Sequence, residues 1–275
     1  MRSNRSGSKS FSSFVGVLVV AFGLPAVASA AGNAAEGKTK SLACAACHVA
    51  VAPTGETPHL AGQRETYIVK QLKAFKSGDR KNPLMSAMAN QLSDADIDNL
   101  AAYWSSQAAG SDSTVPADVA ALKKSQMTFP KDFPKGFVQY STANKEDQPV
   151  VSKSYVNAAG FAAVKAGKPL PDGTVIIVVN SIAKLDANKK PLTEKDGTYT
   201  PDKIVAYAGM EARAGWGNAV PELLRNANWN YGVFNPDKTP KAEINQAVCL
   251  ACHKPKAETS FLFLLKDIQA KAGTK

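Results

Sequence analysis

Cys249-Leu250-Ala251-Cys252-His253, near the C-terminus, repeats a pattern already met as Cys44-Ala45-Ala46-Cys47-His48. Two thiols separated by two residues can add to the two vinyl groups on one edge of a haem. The histidine that follows is placed to swing beneath the ring and give the iron an axial nitrogen. Cys44, Cys47 and His48 therefore read as one attachment site, and Cys249, Cys252 and His253 as a second. The chain is read as holding two covalently bound c-type haems. The residues around the two copies differ, and that difference decides the fold.

Both motifs together use all four cysteines, which leaves none for a disulfide. Zinc is the competing reading of paired Cys-x-x-Cys, but zinc pairs stand roughly 12 to 20 residues apart. These stand about 200 apart, and each is followed directly by histidine. Arg2, Arg5 and Lys9, the apolar run Phe14 to Leu24, and Ala28-Ser29-Ala30 have the three parts of an export signal cleaved near Ala30. The expected location is thus the periplasm. The run is short for a membrane span, which takes about 20 apolar residues; an uncleaved anchor is the alternative. Loss of the leader removes those three cations and no acid, taking the net charge from +10 to +7. Four haem propionates would offset part of this. Such a charge serves solubility, or attraction to an acidic redox partner protein. The lysines are scattered among acids, so no nucleic acid is expected.

From residue 31 to 108 the signals are helical. Ala34 to Leu42 leads into the first motif, Val49 to Gly62 has loop composition, and Tyr67 to Phe75 puts Ile68, Leu72 and Phe75 on one face. Pro83 to Met88 is expected as a loop crossing the haem face, bringing Met85 or Met88 within reach of the iron. Ser93 with Asp96 makes a capping box, and Ile97, Leu100, Ala101 and Trp104 form an apolar stripe behind it. His59 is given no role. Residues 109–128 read as a linker, with a short helix from Ala117 to Lys124.

From 129 to 275 strand signals take over. Val150 to Val156, Thr174 to Val179, Lys203 to Ala208 and Trp229 to Phe234 read as strands, with a hairpin-like turn at Asp196-Gly197. Asn157 caps a short helix to Ala166. A helix is expected to open at Thr239-Pro240 and run into Cys249, with a last helix from Phe261 to Lys271 and Lys254 solvated. The fold class is therefore two domains: an all-α haem domain, then an α+β domain with an antiparallel sheet packed on helices.

The first domain resembles the class I c-type cytochromes. The resemblance rests on Cys44 to His48, Pro58-His59-Leu60-Ala61-Gly62-Gln63, Gln71-Leu72-Lys73, Met85 with Met88, and Leu92-Ser93-Asp94 leading to Leu100-Ala101-Ala102-Tyr103. It implies Met85 as the sixth ligand, with His48 and Met85 on the iron, and the Pro58 carbonyl accepting the His48 Nδ1 proton. Histidine–methionine ligation suits electron transfer.

The second domain resembles the cytochrome P-460 family, which includes the cytochromes c′-beta. The matching residues are Ser154-Tyr155-Val156-Asn157, Pro171-Asp172-Gly173-Thr174-Val175, Gly209-Met210-Glu211-Ala212, Trp229 with Phe234, Cys249 to Lys254 and Phe261-Leu262-Phe263. The resemblance implies a five-coordinate haem with His253 proximal, and a small nitrogen-containing ligand or substrate, nitric oxide or hydroxylamine. It also suggests a homodimer. Hydroxylamine-oxidising members carry a haem-linked lysine where this chain has Val178, with Lys184 too far along. That departure favours ligand binding over oxidation. Glu211 is the candidate catalytic carboxylate for moving protons; the alternative is a salt-bridged glutamate at a strand end. Met210 reads as core rather than ligand. Three functions stay open: a redox enzyme, a nitric oxide-binding or sensing protein, and a plain dihaem electron carrier.

Overall fold

In the computed structural model, the described residues are 32–48, 57–109, 122–145 and 148–274. The export signal, the loop at 49–56 and most of the linker with its short helix lie outside them. The N-terminal domain has four helices: α1 (Ala34–His48), α2 (Glu65–Ser77), α3 (Pro83–Ala89) and α4 (Asp94–Ser106). The stripe expected on α4 is the buried one, with Ile97, Leu100, Ala101 and Trp104 inside. Helix α1 crosses α4 so closely that a Cβ at Gly37 would lie 2.0 Å from the Asn99 carbonyl oxygen. Asn99 clips the crossing: its Nδ2 donates to Glu36 Oε2 at 2.7 Å, and its Oδ1 accepts from Asn33 N at 2.7 Å.

The stretch expected as a loop, Pro83 to Met88, is instead the helix α3. Asn82 Oδ1 accepts from Met85 N at 3.0 Å, and proline stands at the first helical position. Asparagine cap plus N1 proline is a helix-start pair, since proline's fixed φ suits a position whose N–H has no helical partner.

The second domain is built on five strands, β1 (Phe137–Asn144), β2 (Val150–Asn157), β3 (Val175–Ala183), β4 (Pro201–Ala212) and β5 (Trp229–Phe234). They pair antiparallel in sequence order, a meander. Helix α5 (Ala158–Lys165) begins at Asn157 as expected, whose Oδ1 accepts from Gly160 N. β1 was not foreseen. The second motif lies on α6 (Gln246–His253), a 3₁₀ segment follows over Lys254–Thr259, and α7 (Leu265–Ala272) ends the domain. Helix α6 starts at Gln246, not at Thr239-Pro240. The latter pair instead bridges back to Phe234, while Asn245 caps the helix by accepting from Ala247 N at 3.0 Å. The last helix likewise starts later than Phe261, because Ser260 and Phe261 hold left-handed φ of 55° and 63°.

Register divides the sheet into two faces. Ile176, Met210 and Tyr231 are cross-strand partners on one face, buried with Val156, Leu250 and Ile268 against α5, α6 and α7. Ile177, Tyr207 and Phe234 face the other way and pack on Met127 and Phe133. The arm carrying those last two residues runs tight on the sheet: a Cβ at Gly209 would lie 2.7 Å from Met127 Cε. Residues 122–128, expected as linker, therefore belong to this domain, with Leu122 and Met127 buried.

Capping holds α4 where it can meet α1. Ser93 Oγ accepts from Asp96 N at 3.1 Å, and Asp96 Oδ2 accepts from Ser93 N at 2.9 Å. Burial pushes the Asp96 carboxyl up, but Lys40 at 2.7 Å and the bonds from Ser93 outweigh it and hold the group below its ordinary value. A carboxylate shifted down stabilises the fold above its unfolded pKa and loses that contribution as pH falls through the folded one. Ser93→Ala should cost about 1 kcal/mol in denaturant unfolding at neutral pH. The difference from the native protein should shrink below about pH 4.

Candidate functional site

Each motif occupies the last turn of its helix, so the histidine closes the helix and its ring is free to turn beneath a group attached at the two cysteines. Both rings are fixed the same way. His48 Nδ1 lies 2.7 Å from the Pro58 carbonyl oxygen, and His253 Nδ1 lies 2.7 Å from that of Phe261. A carbonyl only accepts, so Nδ1 donates in both, and each Nε2 is left as a lone-pair donor to a metal. Burial holds both imidazoles below their ordinary pKa, which favours that neutral form.

Burial raises Cys44 to about 12 and Cys249 to about 11, and it raises Cys47 as well. No three His, Cys, Asp or Glu side chains converge on a metal-sized point among the described residues.

A haem fits these surroundings. The Trp104 indole N–H is buried against Cys44, at the edge where a haem would be attached. Around the second motif, Cys252 is exposed, with Val248 at 40% and Phe263 at 52%, apolar surface that a porphyrin would cover. The haem supplies an iron that changes oxidation state and binds small ligands.

The second motif is heavily braced. The His253 ring lies 4.6 Å from the Tyr231 ring and 4.9 Å, edge to face, from Phe263. Asn226 Nδ2 donates to the Tyr231 hydroxyl at 2.9 Å and to the Leu250 carbonyl at 3.0 Å, tying β5 to α6. Gln246 Oε1 accepts from Tyr231 N at 2.9 Å. Lys254 is not simply solvated: its Nζ donates to the carbonyls of Glu222 and Arg225, both at 2.8 Å.

The other expected residues are distributed by register. Met85 is half-buried on α3 and Met88 packs into the core. Val178 pairs with Ser154 and Ala208, two residues along from Ile176 and Met210 on the same strands, so all these share the face that α6 covers. Met210 is core. Lys184 is exposed beyond the end of β3. Glu211 is paired with Val175 and Asn230, on the face that α6 does not touch, and its carboxylate is held by Arg213. Its surroundings are those of the alternative reading, a salt-bridged carboxylate at a strand end.

Sequence reasoning passed over Tyr140. Its phenol partners the hydroxyl of Ser154, the direct neighbour of Val178, and burial raises it to about 12. Asn245 was overlooked although an asparagine just before an apolar helix is a legible cap.

Two helix-borne Cys-x-x-Cys-His motifs, each with a ring-fixed histidine, define a protein with two covalently attached haems. Comparison with known proteins agrees. The cytochrome c family model matches residues 34–108, and the cytochrome P460 model matches residues 130–264. Cytochrome c4 of Pseudomonas aeruginosa is 42% identical over 92 residues, 33% of this chain and 46% of that protein. Cytochrome c-554(548) of Halomonas halodenitrificans is 45% identical over 84 residues, 28% of this chain and 99% of that protein. A thiosulfate dehydrogenase electron acceptor of Thiomonas intermedia is 30% identical over 169 residues, 60% of this chain and 68% of that protein. The chain spans about half the length of the cytochromes c4 it matches, 46% and 57% for those of P. aeruginosa and Stutzerimonas stutzeri. The chain belongs to the c-type cytochromes: a class I cytochrome c domain is followed by a domain that matches the cytochrome P460 model, and two covalently bound haems fit the two domains.

Asn226→Ala should leave the Leu250 carbonyl and the Tyr231 hydroxyl without their donor. A loss of about 1–3 kcal/mol is expected in denaturant unfolding of the holoprotein, together with a shifted His253-haem absorption spectrum.

Proposed function

We propose that this protein is a periplasmic dihaem cytochrome in which the His48/Met85 haem passes electrons to or from a five-coordinate haem on His253, where a small nitrogen ligand such as nitric oxide binds. The observation that carries this is an asymmetry in sulfur ligands. Met85 stands outside the apolar cluster on a helix of the first domain, whereas Met210, the methionine on the sheet face opposite α6, is engaged in the core. Electron transfer is supported by the first domain's cytochrome c match and by the relative described as an electron acceptor.

Binding without turnover is the second reading, and Glu211 favours it. A carboxylate on the far face of the sheet, committed to Arg213, does not offer a proton at the ligand face. Val178 presents no amine there. A polar group on that side is the Tyr140–Ser154 hydroxyl pair, where burial raises the Tyr140 phenol to about 12. A soluble redox protein is the expected partner; no helix among the described residues is long and apolar enough to cross a membrane. A homodimer accompanies this reading through the family resemblance.

Carbon monoxide titration of the reduced protein tests it. About one equivalent should bind in the native protein and about two in Met85→Ala, with Met88→Ala behaving as native. No binding at all would remove the open-face haem, and no second equivalent in Met85→Ala would remove Met85 as ligand. Glu211→Gln should leave nitric oxide and carbon monoxide binding unchanged; loss of either would return the carboxylate to the ligand site.

A further inference from the structure

One side chain hydrogen-bonds the two haem-bearing helices together. Asn245 caps α6 with its Oδ1, and its Nδ2 donates to the carbonyl of Ala46, inside the first motif, at 2.6 Å. The same Nδ2 lies 3.9 Å from Cys47 Sγ. Cys249 is four residues further along the helix that Asn245 starts, a rise of about 6 Å. From Cys47 to Cys249 the route is therefore one side-chain contact and one helical turn.

A second contact brackets the first. Leu223 packs against the cluster of Leu92, Ile97 and Leu100 beside Cys44. The segment carrying it is held to the second motif by Lys254, through the carbonyls of Glu222 and Arg225, and by Asn226, through that of Leu250. Asn245 thus lies beside Cys47, and Leu223 packs on the same cluster as Cys44 from a segment that Asn226 ties to α6. Asn245 would cap α6 without its Nδ2 partner, so that second bond serves the junction between the domains, and Leu223 packs on apolar clusters of both.

We propose that Asn245, braced by the Leu223 segment, is the positioning residue of a fixed intramolecular electron-transfer junction between the Cys47 and Cys249 edges. The inference rests on the reading that the two centres exchange electrons. With haems held at both motifs, one electron would pass from a ferrous centre at Cys47 to a ferric centre at Cys249, oxidising the first and reducing the second; no bond would be made or broken and no proton would move. The electron enters from an external one-electron donor.

Asn245→Asp isolates the junction. Aspartate keeps the cap, because its carboxylate still accepts from Ala247 N, but it loses the donor and sets an oxygen against the Ala46 carbonyl. Flash reduction of the holoprotein by photogenerated flavin semiquinone, followed at wavelengths that separate the two haems, gives the intramolecular rate. In the native protein that rate should not depend on protein concentration. In Asn245→Asp it should fall about tenfold through misplacement on the ångström scale, beyond any change that the measured shift in potentials from the new carboxylate accounts for. Magnetic dipolar coupling between the two ferric centres should weaken in parallel, a readout that does not depend on turnover. Leu223→Ala, which keeps Asn245, should slow transfer in the same direction and serves if the aspartate variant does not assemble. An unchanged rate and coupling would overturn the proposal, as would a slowing fully accounted for by shifted potentials. Carbon monoxide is not used, so a closed His253 face would remove the open-face reading while the junction would still be judged by its own rate.

Discussion

Each motif histidine commits its Nδ1–H to a backbone carbonyl, and the structure around both motifs serves that bond. Only with Nδ1 occupied is Nε2 aimed as the metal-binding nitrogen. The two domains deliver the carbonyl by unrelated means. In the first it belongs to Pro58, whose ring limits its own φ and which has no N–H to satisfy. In the second it belongs to Phe261, which together with Ser260 sits in the left-handed region at a cost of order 1–3 kcal/mol for each residue. That strain persists because the turn is over-determined: Phe261 N donates to the Lys256 carbonyl at 2.7 Å, and Thr259 Oγ1 donates to the Leu262 carbonyl at 2.6 Å.

What could be read from sequence was whatever is encoded locally. The two motifs, the Ser93 capping box, the Asn157 cap and the β-branched run from Thr174 to Val179 each state their structure within a few residues. β1 does not, because Phe137-Val138-Gln139-Tyr140 alternates poorly and a bulge interrupts its pairing with β2. The start of α6 was misplaced because two cap-like residues competed. Thr239 was resolved by a long-range fact, the pairing of Pro240 with Phe234. Lys254 was missed for a similar reason, since its carbonyl partners lie some thirty residues upstream, at Glu222 and Arg225.

Glu211 shows the same limit at the site itself. Side chains alternate along a strand, so Met210 and Glu211 must face opposite ways. Parity alone does not say which of them meets the haem helix. The register does: Val178 lies opposite Ala208, Ala208 shares a face with Met210, and Met210 lies opposite Tyr231, which stacks on His253. One fact about pairing between distant strands thus puts the Glu211 carboxylate on the arm side of the sheet, where Arg213 holds it.

Domains in one chain ordinarily move unless their interface is large and apolar. Here a single apolar cluster runs from Ala43, Ala46 and Trp104 of the first domain to Leu224, Ala247 and Leu250 of the second. Docking two haem domains covalently removes the association entropy that separate carriers would lose at every encounter. It helps electron exchange only if the docked geometry is the productive one. The two motifs meet this constraint differently: α1 has only Ala45 and Ala46 between its cysteines, both small, whereas α6 has Leu250 beside Ala251, and that leucine is buried in the cluster the two domains share. The small residues of α1 thus let the first motif helix come close, and Leu250 fills the space between them.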